Sequence, residues 1–169
     1  DLYGRGESFE IQVTDPAFAE FEDKFVDISG HWAEDEILNA TYRGWFRGMD
    51  ATHFVPNEST TRAMMVTTLY RLAGSPEVTE KSSFTDVPEN AWYTEAALWA
   101  WREGLMAGTT KTTFSPDVAT TRGMVVTILW RQAGAPAAEY ALDFTDVASD
   151  AYYAEAVRWA LSEGITTGT

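Results

Sequence analysis

Two Thr-Arg dipeptides, Thr61-Arg62 and Thr121-Arg122, carry the chemistry most directly readable in this sequence. A guanidinium is planar and permanently charged, and it grips a carboxylate through two parallel hydrogen bonds. A Thr hydroxyl is a helix N-cap, accepting from a free N–H of the first turn. Each Arg is therefore expected beside a helix start, where unpaired N–H groups also favour negative charge. The site so described suits an anionic ligand. The repeated acids Asp27, Asp86 and Asp146 supply the alternative, in which Arg62 and Arg122 pair with them and lock one segment to the next. The two roles are compatible, and both stay open at this stage. Read by themselves, the three Asp residues are expected to cap the turn before a helix through local Asx-type bonds.

Other chemistries fare worse. With 26 Asp and Glu against 12 Lys and Arg, the net charge of −14 repels nucleic acid and anionic membranes. There is no Cys, hence no disulfide, thiolate metal site or Cys nucleophile. Two His residues, His31 and His53, leave little for an imidazole zinc site, and no Asp-x-Asp-x-Asp-Gly loop with a trailing Glu supports calcium. A carboxylate pair for glycoside hydrolysis would be expected once, at a place that breaks any symmetry, whereas the acids here recur in register. The expectation is a chain that is not an enzyme and uses no cofactor or metal. No apolar run is long enough to span a bilayer. The chain begins at Asp1 without Met and shows no signal peptide, so it is expected to be a processed or excised piece of something longer.

The recurrence itself sets the architecture. Phe25-Val26-Asp27-Ile28 returns as Phe84-Thr85-Asp86-Val87 and Phe144-Thr145-Asp146-Val147, at offsets of about 60 residues. Gly44, Gly104 and Gly164 keep this register, as do Gly48, Gly108 and Gly168. Phe54-Val55-Pro56 and Phe114-Ser115-Pro116 each precede a Thr-Arg start, and the third unit reaches Thr169 where its own copy would begin. The chain thus reads as two and a half repeats: 25–80, 81–140 and the first half of a third over 141–169.

Each repeat is predicted to hold two helices. The first carries an apolar stripe at Trp32 or Ala33, Ile37, Ala40 and Thr41, repeated at Tyr93, Ala97, Ala100, Trp101 and at Tyr153, Val157, Ala160, Leu161. It should stop at Gly44, Gly104 or Gly164 in a left-handed cap. The second starts at Thr61 or Thr121, buries Val66, Leu69, Tyr70, Ala73 or Val126, Leu129, Trp130, Ala133, and ends at Gly74-Ser75-Pro76 or Gly134-Ala135-Pro136. Phe54 and Phe114 should pin short extended segments into the core. Trp99, Trp101, Trp130 and Trp159 are expected in the core. Residues 1–24 lie outside the repeat: an alternating arm, then a leading helix over 16–24 expected to take the place of the third unit's second helix.

The order Phe-x-Asp-Val, an aromatic-led helix ending in Gly, a Gly-x-x-x-Gly loop, Phe-x-Pro and Thr-Arg-Ala-x resembles the S-layer homology (SLH) motif over residues 25–169. The resemblance implies a mainly α, pseudo-threefold bundle of helix-loop-helix motifs on a secreted bacterial surface protein of Gram-positive type. Its implied role is non-covalent anchoring to a secondary, often pyruvylated, cell-wall polysaccharide in grooves between motifs. The alternative is an SLH-fold module that binds another protein, with room for an oligomer that completes motif three. The implied ligand set is Arg62 and Arg122 for the carboxylate, Gly48 and Gly108 for close backbone approach, and Trp32, Trp92 and Tyr152 for stacking, the last three set against a packing role. One departure stands out: Met64 and Met124 replace the Glu or Gln of a capping box.

Overall fold

The computed structural model describes Phe21 and residues 24–168. The arm and leading helix expected over residues 1–24 lie outside the described residues except for Phe21 and Lys24. Among the described residues there are five helices and no strand. They are α1 (Glu34–Tyr42), α2 (Arg62–Leu72), α3 (Thr94–Arg102), α4 (Arg122–Gln132) and α5 (Ala154–Ser162). The fold is mainly α, as the periodicity predicts, with one isolated antiparallel bridge between Thr61 and Ala119.

The chain divides into two compact units, Asp1–Glu58 with α1 and Ser59–Thr169 with α2 to α5. In the first unit, Phe25, Ile28, Ile37 and Leu38 form a small core with Ala33 and Phe54 packed on it, and the Phe25 and Phe54 rings lie 5.4 Å apart. In the second unit, α2 packs on α3 and α4 packs on α5. The second helix of one motif thus lies on the first helix of the next. The core here combines Val66, Leu69 and Tyr70 of α2 with the small face Ala96, Ala97 and Ala100 of α3, closed by Phe84, Val87 and Phe114. Alanines let the helices approach closely, and the rings fill what they leave.

The helix ends follow the sequence signals. Thr61 and Thr121 are N-caps, accepting from Met64 N at 3.3 Å and Met124 N at 3.2 Å. At Gly104 the backbone turns left-handed (φ 68°), and Leu105 N donates back to Ala100 O at 2.9 Å, closing the end of α3. Of the four helical Trp residues, Trp99 is buried, Trp130 and Trp159 are half-buried and Trp101 is exposed. Trp99 and Trp101 are two positions apart, about 200° around a helix, so both cannot face one core. Trp130 sits at the rim because its Nε1 donates to Pro136 O at 2.8 Å, as Tyr70 Oη does to Pro76 O.

The loop glycines are set by packing. A Cβ on Gly108 would stand 2.5 Å from Thr110 O and 2.7 Å from both Phe84 Cε1 and Thr113 O. Gly48 meets Phe25, His53 O and Asp50 O in the same way, and Gly168 meets Phe144. Each glycine lets the Phe of its own Phe-x-Asp lie against the loop. Gly108→Ala is expected to lower the unfolding free energy by about 1–3 kcal/mol, read from the midpoint of urea unfolding.

Candidate functional site

Arg62 is the centre of the best-defined polar arrangement. Its Nε donates to Phe114 O at 2.9 Å and its Nη2 to Ala107 O at 2.6 Å. The guanidinium carbon lies 4.8 Å from the centroid of the Phe114 ring, and Arg62 is only 4% exposed. Burial pulls the guanidinium pKa down from its ordinary value, while Tyr152 and Asp86, both within electrostatic reach, push the other way. The cation is held by neutral carbonyls, and among the described residues no carboxylate forms an ion pair with it. Arg62 does lock one motif to the next, by a different chemistry from the Arg–Asp pairing set out above.

Opposite it, Asp86 grips the same segment from the other side. Its two oxygens accept from Phe114 N and Ser115 N, each at 2.7 Å. Asp27 treats Phe54 N and Val55 N identically, at 2.9 and 2.7 Å. The local Asx turn expected of these residues is therefore replaced by a bond to backbone far along the chain. The reason lies in the acceptor's partners: two successive N–H groups converge only where the residue after Phe turns left-handed, and Val55 and Ser115 do so (φ 63° and 59°). Partial burial works to raise the Asp86 carboxyl, but the N–H groups of Phe114 and Ser115, with the Arg62 charge, outweigh it and hold it below its ordinary value. For Asp27 the Phe54 N–H is the main cause, and that carboxyl too is lowered.

The segment after Phe114 caps α2. Arg62 N donates to Val118 O and Ala63 N to Pro116 O, both at 2.9 Å, and Thr120 N donates to Thr60 O at 2.8 Å. The helix N–H groups expected to be free for an anion are thus spent at α2. Nothing in the residue types announced this, because carbonyls carry no side-chain signature.

One repeat later the same parts surround an open groove. A cavity of about 820 Å³ is lined by Arg122, Asp146, Phe144, Tyr153, Val157 and Gly168 among others. Arg122 is exposed and makes one side-chain bond, Nη2 to Thr166 Oγ1 at 3.2 Å. Among the described residues the Asp146 carboxylate and the first N–H groups of α4, at Arg122 and Gly123, have no partner. Arg62 and Arg122, alike in sequence, are therefore unlike in structure: one is buried and bonded to two backbone carbonyls, the other open.

The ring at the head of each first helix is exposed in all three motifs: Trp32 at 88%, Trp92 at 62% and Tyr152 at 61%. None of the three is a core residue. Trp92 and Tyr152 are braced edge-on by their neighbours Tyr93 and Tyr153, with centroids 5.2 and 5.0 Å apart, and Trp32 leans on His31 at 5.5 Å. Gly48 and Gly108 face the Phe rings of their own motifs, as described above.

Among the described residues no cluster of His, Asp or Glu is arranged to hold a metal ion, and no helix is long and apolar enough to cross a membrane. Asp50 is held at about 2 by the Thr52 N–H and the His53 side chain, which makes it a loop brace.

A family model described as the S-layer homology domain matches residues 24–64, 83–123 and 143–169. Among curated proteins, the chain is 31% identical over 112 residues to an amylopullulanase of Thermoanaerobacterium thermosulfurigenes, covering 66% of this chain and 6% of that protein. It is 32% identical over 100 residues to endo-1,4-beta-xylanase A of Thermoanaerobacterium saccharolyticum, 59% of this chain and 9% of the relative. It is 30% identical over 107 residues to exoglucanase XynX of Acetivibrio thermocellus, 63% of this chain and 10% of the relative. The match therefore spans a tenth or less of each relative's length.

Asp86→Asn leaves at least one N–H of the Phe114 segment unpaired and should cost about 1–2 kcal/mol, a figure kept low by the partial exposure of the carboxyl. Asp146→Asn, with nothing to lose, should change stability by less than about 0.5 kcal/mol; parallel urea curves make the comparison. The pH dependence follows from the lowered carboxyls. A carboxyl depressed in the folded state stabilises above its unfolded value and loses that contribution as pH falls through its folded value. Stability should therefore fall on acidification below the ordinary carboxylate range, and Asp86→Asn should flatten that fall.

Proposed function

This chain belongs to the S-layer homology domain family, and from that membership we propose that it holds its parent protein on the cell wall by binding a secondary cell-wall polysaccharide. S-layer homology domains anchor surface proteins to the cell wall. The observation that carries the reading to a site is the exposed ring repeated in register at Trp32, Trp92 and Tyr152. Flat apolar faces in a polar, solvated setting stack on sugar rings, and bracing by a second ring fixes their orientation at little entropic cost.

A pyruvyl carboxylate on the polymer needs a cation beside such a ring. Arg62 supplies it: Tyr152 lies within its electrostatic reach, and among the described residues its Nη1 makes no hydrogen bond, so one edge of the fork is left over after Phe114 O and Ala107 O are served. The net charge of −14 does not oppose this, because exposed charges are screened over about 8 Å at physiological salt.

The chain itself is an anchor and not a catalyst. Its recurring acids Asp27 and Asp86 are engaged by backbone N–H groups and kept ionised, which suits them for bracing and unsuits them for proton donation. The relatives' names belong to polysaccharide-degrading enzymes, and the share of each that this chain covers fits a common anchoring part.

Co-sedimentation with isolated cell walls tests the reading. Trp92→Ala and Tyr152→Ala should each weaken binding about tenfold, as loss of a stacking ring does, while walls stripped of the polymer should bind little. Polymer freed of pyruvyl groups should bind much less than the intact form; equal binding would remove the Arg62–carboxylate contact from the proposal and leave the rings.

A further inference from the structure

We propose that His31 is a positioning residue for Trp32 and makes the ring of the first motif responsive to pH: with the imidazole neutral the ring is held for stacking, and with it protonated the ring is let go. The inference deepens the glycan-binding role of the exposed rings and rests on that reading.

The three motifs build the same turn ahead of the first helix and differ in the side chains placed on it. In each, the residue before the exposed ring donates its N–H to the carbonyl three residues back and accepts from the N–H three residues on. His31 lies between Ile28 O and Glu34 N, Ala91 between Pro88 O and Thr94 N, and Ala151 between Ala148 O and Ala154 N, at 2.8–3.4 Å. The second and third motifs put Ala before the ring and Tyr after it, and Tyr93 and Tyr153 brace Trp92 and Tyr152 edge-on. The first motif reverses the two. Ala33 follows Trp32, and the brace is His31, tilted 33° to the indole with the centroids 5.5 Å apart. Among the described residues Trp32 has no other ring contact, and it is the most exposed of the three. Its orientation thus depends on the one brace whose side-chain type titrates near neutral pH.

Both imidazole nitrogens are committed. Ala33 N donates to Nδ1 at 3.1 Å, so Nδ1 carries no proton, and the neutral ring carries it on Nε2, which faces Asn57 Oδ1 at 3.4 Å. Ala33 is the N-cap of α1 and has no side-chain cap of its own, so His31 supplies the acceptor at this helix start. A second proton has only Nδ1 to go to. It sets an N–H against the Ala33 N–H, and it brings positive charge to the N-terminal end of a helix, where the macrodipole opposes it. The charged groups on the adjoining elements are Asp27 in the turn before, Glu34, Asp35 and Glu36 in the first turn of α1, and Asp50, His53 and Glu58 on the segment that carries Asn57. Asp27 is engaged by Phe54 N and Val55 N, Glu34 by Gly30 N, and Asp50 by Thr52 and His53. Among the described residues no carboxylate forms an ion pair with His31. The neutral ring is the form that fits, so the brace is present above the imidazole pKa and is lost as pH falls through it.

The isotope-labelled chain is titrated by NMR between about pH 8 and pH 5, without ligand. The Ala33 amide and the Trp32 indole N–H are expected to shift with one common midpoint, and the Trp92 indole is expected not to. His31→Asn keeps an acceptor for Ala33 N as an Asx turn and does not titrate, so both shifts should vanish with the fold kept; His53→Gln, which removes the other imidazole, should leave them in place. Binding of solubilised secondary cell-wall polysaccharide is then measured by calorimetry at both ends of that range. The parent chain should bind about threefold or more weaker at the acid end, the cost of ordering a ring no longer held, and neither Trp32→Ala nor His31→Asn should show this fall. The proposal is overturned if the Ala33 and Trp32 signals do not move together, if His31→Asn titrates like the parent chain, or if Trp32→Ala keeps the fall. Affinity that is unchanged or rises on acidification, as an imidazolium reaching an anionic polymer would make it, overturns it equally. Absence of polymer binding at either pH, with the NMR titration intact, would sink the anchoring reading and leave the pH response of the ring standing.

Discussion

The segment from Phe114 to Val118 is gripped from two sides, and the second compact unit is organised around that grip. Asp86 takes its amides, Arg62 takes its carbonyl and its ring, and the start of α2 takes the carbonyls that follow. A stretch without regular secondary structure would normally leave its polar backbone to water. Here that backbone is paired and its Phe ring is fully buried. The consequence reaches into the helices: α2 begins with its first donors satisfied by backbone, and Thr61 need only serve Met64 N.

The grip also ties repeat to repeat. Arg62 comes from the first motif, while Phe114, Ala107 and Asp86 come from the second. Helix packing has the same offset, with α2 on α3 and α4 on α5. Cohesion in Ser59–Thr169 therefore runs across motif boundaries, and the sequence repeat and the packing pair are out of phase by half a motif. Such an arrangement makes each motif depend on its neighbour for a buried face, as in other stacked repeats.

Much of this was legible in residue types. Gly104 and its equivalents marked the helix ends and Thr61 and Thr121 the starts, and the apolar stripes marked the buried residues Ile37, Val66, Leu69, Ala97, Ala100, Val157 and Ala160, whereas Ala73 and Ala133, expected on buried faces, are exposed and Val126, Leu129 and Trp130 only half-buried. Each of those signals acts within a turn or two of chain, where sequence spacing and spatial distance coincide. The partners of Asp27 and Asp86 did not yield to the same reading, because they are backbone amides 27 to 29 residues away and any residue type can supply an amide. The exposure of Trp32, Trp92 and Tyr152 was equally hidden: a large ring next to the head of an apolar stripe looks like core until the helix is seen to begin two residues after it. Arg62 and Arg122 carried identical local signals and differ only in whether a distant segment reaches them.

That difference has an electrostatic logic. Asp86 and Arg62 are a negative and a positive group with a peptide laid between them, its N–H groups toward the carboxylate and its carbonyl toward the guanidinium. The peptide dipoles lie along the field of the pair, so the segment solvates both charges as water would, while excluding water from the Phe ring. A direct Arg–Asp ion pair would satisfy the charges but leave the backbone of the segment unpaired, and a segment without the charges would lose most of what orients it. The pair is thus matched to backbone of one polarity and one direction.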